Sequence, residues 1–140
     1  MQGRLQCGDV RTMSTATVLV VEHDENVRTL LGDMLESVGC NAVLAPDGAA
    51  AVQVAQMRRF DVAFIDAQMP RHDALATLRR LRELRSDAHY VVISGMRNGA
   101  LERQCLQQGA AAVLYKPVDL ATLETLIKDL LEASEGTSPP

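Results

Sequence analysis

Five short apolar runs, each followed by a longer stretch whose apolar residues recur at helical spacing, constrain this chain more than any other feature. The runs are Thr17–Val21, Asn41–Ala45, Val62–Ile65, His89–Ile93 and Ala110–Tyr115. Uninterrupted apolar runs of this length, bounded by polar residues, read as strands buried on both faces, which is the habit of parallel sheets. The stretches between and after them, 25–38, 49–57, 74–84, 98–108 and 120–133, read as helices. The first carries Val27, Leu30, Leu31, Met34, Leu35 and Val38 on one face, and the last carries Leu123, Leu126, Ile127, Leu130 and Leu131. Gly39 and Gly109 stand where the first and fourth helices should stop, and Asp119 where the last should be capped. The arginines of the third helix, Arg79, Arg80, Arg82 and Arg85, read as its solvated side. Strict alternation of strand and helix implies βαβ units with right-handed crossovers, hence an α/β domain with helices on both faces of a parallel sheet.

Composition narrows the function classes. A chain of 140 residues is enough for one domain with a substantial core. A formal net charge of -4 does not suggest a nucleic-acid-binding face. No apolar stretch approaches a membrane span or a signal-peptide core, so no membrane partner is expected. Three cysteines, Cys7, Cys40 and Cys105, lie scattered without metal-ligand spacing, which points to a reducing, cytoplasmic setting. Residues 1–16 read as a mobile N-terminal tail, with Met13 as an alternative start. Residues 17–133 read as the domain, and 134–140 as a C-terminal tail or the start of a linker. Neither a Gly-x-Gly-x-x-Gly pattern nor a Walker loop follows any strand, which removes the simplest nucleotide-binding readings.

The chemistry is expected at the strand ends, because ligands of open parallel sheets bind beyond the carboxyl ends of the strands. The third run stops abruptly at Asp66, and Pro70 marks a turn soon after. The first run ends in Glu22, His23 and Asp24, the fourth in Ser94 and the fifth in Lys116. Each has a bland reading: Asp66 opening a loop, Ser94 in a turn, Lys116 as surface charge. Together, acids, a hydroxyl and an ammonium at one rim can hold a divalent cation and a phosphoryl group, with a carboxylate accepting the phosphoryl as an acyl phosphate.

In the stretches Val18–Arg28, Asp61–Asp73, Val91–Gly95 and Tyr115–Pro117 the sequence resembles receiver domains of two-component response regulators, and the resemblance runs from Thr17 to about Ala133. It implies a flavodoxin-like (βα)5 fold with strand order 2-1-3-4-5. It also implies that Asp66 is the phosphoacceptor, served by a histidine kinase or phosphotransfer protein and read by a downstream protein or output domain. Ser94 and Lys116 would engage the phosphate, Gln68 would offer a metal its backbone carbonyl, and the Lys116–Pro117 bond would be cis. Mg2+ or Mn2+ is the implied cofactor.

Two positions depart from the family pattern. Where a second acid normally binds Mg2+, this chain has His23, and imidazole suits transition metals better than Mg2+. Metal binding should weaken unless Glu22 or Asp24 turns inward. Alternatively, a protonated His23 pairs with Asp66 and stands in for the cation. The aromatic ring expected three residues before the lysine is replaced by Val113, while Tyr115 shares that strand face, as a displaced substitute or as ordinary packing. The leading function is thus a phosphorylatable receiver with a switch at Ser94 and position 113. The rival is a pseudo-receiver, a protein-interaction module with weak or absent metal-dependent phosphorylation. A flavodoxin-type cofactor binder is disfavoured by the missing phosphate loop and stacking aromatics.

Overall fold

The computed structural model describes residues 16–69 and 73–136, with the backbone alone for 134–136. The readings made for Met1–Thr15, for Cys7 and Met13 among them, and for Pro70 and Thr137–Pro140 fall outside the described residues. Five strands and five helices alternate: β1 Thr17–Val21, α1 Glu25–Ser37, β2 Asn41–Ala45, α2 Gly48–Met57, β3 Val62–Asp66, α3 Ala74–Leu84, β4 His89–Ser94, α4 Gly99–Gln107, β5 Ala112–Tyr115 and α5 Leu120–Gly136. All strand pairs are parallel, in the order β2-β1-β3-β4-β5.

Alternation along each strand splits the core in two. Leu19, Val21, Ala63, Ile65, Tyr90 and Val92 pack with Ala51 and Ala55 of α2, Leu78 and Leu81 of α3, and Cys105 of α4. Val18, Val20, Val62, Phe64, Val91 and Ile93 pack on the other face with Leu31 and Leu35 of α1 and Leu123, Ile127 and Leu131 of α5. The interior strands β1, β3 and β4 therefore need apolar residues at both parities, which is why they show apolar runs, whereas the edge strands β2 and β5 are more open. Fully burying a Leu or Ile side chain contributes roughly 1.5–3 kcal/mol, so the helices are held chiefly by these stripes.

The helix ends follow local chemistry. Asp24, Asp47, Asp73 and Asn98 each cap a helix, their side chains accepting backbone N–H groups of the first turn. Asp119 accepts from the Thr122 N–H and hydroxyl at the start of α5. Gly39 and Gly109 take φ of 94° and 103°, a left-handed conformation that favours glycine and ends α1 and α4. At Gly109 space matters as well, since an added Cβ would lie 2.4 Å from the Arg82 guanidinium carbon.

Three details correct the reading from sequence. Ala16 is buried at 3% exposure, and its carbonyl accepts the Asn41 N–H, so it is packed against the domain just ahead of β1. The last helix runs on to Gly136, past the expected tail boundary at 134. Arg85 is only half exposed, and its Nε donates to the Ala55 carbonyl, stitching the end of α3 to α2.

Candidate functional site

Strand register assembles the site. Val21 pairs with Ile65, so Glu22 and Asp66 follow side by side at the carboxyl rim. Asp66 pairs with Ile93, which puts Ser94 one step further along β4, and Ser94 pairs with Tyr115, which puts Lys116 next beyond. Glu22, Asp66 and Ser94 are each 1% exposed.

The carboxylates divide their oxygens between Lys116 and His23. Lys116 Nζ lies 3.0 Å from Glu22 Oε1 and 3.4 Å from Asp66 Oδ1. His23 Nδ1 lies 2.6 Å from Asp66 Oδ2 and 3.4 Å from Glu22 Oε2. The Gln68 N–H donates to Asp66 Oδ1 at 3.0 Å, and the Asp24 N–H to Glu22 Oε2 at 3.1 Å. Arg28 pins the loop by donating to the carbonyls of Glu22 and His23. The Lys116–Pro117 bond is cis.

Charge follows from these contacts. Burial works against the Asp66 carboxylate, yet the Gln68 amide, Glu22, His23 and Lys116 together hold its pKa below the ordinary value. Burial and then Asp66 push Glu22 upward, and the Asp24 amide and Lys116 only partly offset them. The pair thus favours negative charge on Asp66 over Glu22. Burial alone would lower the Lys116 ammonium, but Glu22 and Asp66 outweigh it and raise it. A buried carboxylate kept ionised beside an ammonium is equipped as a nucleophile toward an electrophilic phosphorus.

Other residues singled out from sequence end up in mixed places. Asp24 is exposed and committed to capping α1 through Asn26 and Val27, so it does not turn inward; Glu22 does. Ser94 reaches the rim, but its hydroxyl bonds to Gln68 and Met96 and not to Asp66. Val113 is half-buried and packs against the α2–α3–α4 side of the core. Tyr115 does not fill the place of the missing inward ring. Its hydroxyl donates to Glu102 at 2.7 Å, and the Arg97 guanidinium lies 4.2 Å from its ring centroid. Sequence reasoning missed Arg28, Arg97, Glu102 and the Gln68 side chain. Only the position of Gln68, two residues past Asp66, could have drawn attention to it.

The metal question turns on the donor set. One ligand atom each from Glu22, His23 and Asp66 lies within 4.8 Å of the others. Mg2+ wants oxygen ligands in near-octahedral geometry, whereas imidazole suits borderline transition metals. With His23 already 2.6 Å from Asp66 Oδ2, these residues do not fit a Mg2+ shell; they form a mixed nitrogen and oxygen set.

Comparison with known proteins agrees with this fold. The family model for the response regulator receiver domain matches residues 18–128. The chain belongs to that family. Regulator of RpoS from Escherichia coli strain K12 is 33% identical to this receiver domain over 111 residues, covering 79% of this chain and 33% of that protein. Transcriptional regulatory protein ZraR from Escherichia coli O157:H7 is 28% identical over 120 residues, covering 86% of this chain and 27% of that protein. The chain therefore spans about a third or less of these two relatives. A CheY-like receiver domain structure from Methanospirillum hungatei JF-1 superposes with a TM-score of 0.82 at 22% identity, covering 86% of this chain and 97% of that one, a likeness of fold. One from Methylobacillus flagellatus gives 0.76 at 27% identity, covering 82% and 98%.

Proposed function

We propose that this receiver domain accepts a phosphoryl group on Asp66 from a phosphohistidine donor, a histidine kinase or phosphotransfer protein, and passes the change to a downstream protein or output domain. The observation that carries this reading is the buried Asp66 carboxylate, held ionised between the Gln68 amide and Lys116 on one oxygen and His23 on the other. In the transfer, an Asp66 oxygen bonds to phosphorus as the phosphorus–nitrogen bond of the donor breaks. The electron pair of that bond leaves with the donor imidazole. Lys116 neutralises charge on the transferred group, and the His23 ring stands beside it as a second hydrogen-bonding partner. An acyl phosphate carries more negative charge than the carboxylate it replaces, which gives the Ser94 hydroxyl a new acceptor nearby.

A groove of about 350 Å³ between α1 and the β5–α5 connection supports a docking place for the donor. It is lined by Val27, Leu30, Leu31, Met34, Pro117 and Val118 and runs beside Lys116. Leu30, 57% exposed, gives its outer lip an apolar contact.

The test is to incubate the protein with acetyl phosphate and either Mg2+ or Mn2+, then weigh it intact. One added phosphoryl, absent from Asp66→Ala, supports the reading. No addition with either cation refutes it in favour of an interaction module that works unphosphorylated. His23 against the acceptor oxygen is the observation on the side of that second reading.

A further inference from the structure

Ser94 has no spare hydrogen-bonding capacity. Its hydroxyl donates to the Met96 carbonyl at 2.7 Å and accepts from the Met96 N–H at 3.1 Å and from Gln68 Nε2 at 2.9 Å. A hydroxyl has one proton and two lone pairs, so all three are in use. The Gln68 carboxamide makes a second bond to the same loop, its Oε1 accepting the Gly95 N–H at 2.8 Å. These two bonds employ both ends of the amide and leave it a single orientation, because a flipped amide would set two donors face to face.

We infer that the Gln68 side chain is a latch on the β4–α4 loop, and that releasing it sets how readily Ser94 turns to a phosphoryl group on Asp66. The inference rests on the reading of Asp66 as acceptor. Ser94 cannot donate to a phosphoryl oxygen without withdrawing its one proton from Met96, and the Gln68 fork holds it in the competing arrangement. The same residue senses the acceptor, since its backbone N–H donates to Asp66 Oδ1. Gln68 thus touches the reacting carboxylate through its main chain and the responding hydroxyl through its side chain. It is a positioning residue.

The latch also offers a route outward that needs no aromatic ring at position 113. Arg97 follows Met96 directly and lies over Tyr115, whose hydroxyl is tied to Glu102 of α4. A loop that moves to bring Ser94 inward carries Arg97 with it and loosens this contact, changing the surface shared by α4 and β5.

The experiment compares wild type with Gln68→Met, which keeps the length and the backbone N–H but removes the amide. Gln68→Ala serves as a second variant, and matching thermal unfolding shows that each is folded. Two quantities are read: hydrogen exchange of the Gly95 amide in unphosphorylated protein, and the initial rate of acetyl phosphate labelling by intact mass. Two lost hydrogen bonds should accelerate each by about tenfold. Labelling of both variants at the wild-type rate overturns the gating, whatever the exchange shows. If wild type takes no phosphoryl, the acceptor reading fails. Gly95 exchange then decides the latch alone, faster exchange upholding it and unchanged exchange overturning it.

Discussion

The two oxygens of Asp66 have different surroundings. Oδ1 faces the Gln68 N–H and the Lys116 ammonium, one supplied by the chain's own turn after β3 and the other by the end of β5. Oδ2 faces His23, whose side chain is 40% exposed and stands where receiver domains usually carry an acid. The first side follows almost entirely from topology, because parallel register delivers Lys116 to the rim beside Ser94. The second depends on the identity of one residue in a loop. Retaining the ammonium side keeps the carboxylate ionised and poised. Exchanging the other side replaces a cation-binding acid with a ring that supplies its own nitrogen. The Oδ1 side of the cluster is thus held by the fold, while the donor set on the Oδ2 side is open to a single substitution.

The largest blow to this division comes from Lys116→Met. It leaves Glu22 and Asp66, both buried, without the ammonium that faces them both. Removing one member of a buried charge cluster should destabilise the fold by about 3 kcal/mol, read from urea unfolding at neutral pH. A loss near zero would mean that solvent already screens this side.

His23→Asp sharpens the contrast from the other side. It restores an all-oxygen donor set and should tighten Mg2+ binding by about tenfold. Without Mg2+ the same variant should unfold at lower urea, because a third carboxylate joins the cluster, and added Mg2+ should restore it. Equal Mg2+ affinity in the two proteins, by calorimetric titration, would show that His23 is not what alters the site.

The subtlest test is alkaline. The Lys116 ammonium is held above its ordinary value of 10.5 by Glu22 and Asp66, in spite of burial. Since the folded value is the higher one, the stability contributed by the charge is complete below 10.5 and disappears as pH rises through the folded value. The gap in Tm between wild type and Lys116→Met should therefore hold steady from neutrality to the ordinary lysine value and narrow above it. A gap that closes well below it would remove the carboxylates as the cause.

The same contrast explains what could be read in advance. The interior strands were legible because burial on both faces forces apolar runs, and Asp66, Ser94 and Lys116 because parallel strands present their carboxyl ends at one rim. His23 was legible as a departure, and its pairing with Asp66 was among the expected outcomes. Asp24 was not, since an acid beside a site and an acid capping a helix look alike in one dimension. Arg85, Arg97 and the Gln68 side chain were hidden for a related reason. Their partners at Ala55, Tyr115 and Ser94 lie 30, 18 and 26 residues away, and only the folded spacing brings them within reach. Long polar side chains choose partners by distance, and apolar periodicity carries no record of that choice.

The most direct measurement of the central claim locates the bond itself. After acetyl phosphate treatment, borohydride reduces an aspartyl phosphate to homoserine, and peptide mass mapping finds the residue converted. The expected result is homoserine at position 66 alone, lost in Asp66→Ala. Conversion at another carboxylate, or none at all while the intact protein carries a phosphoryl group, would contradict it.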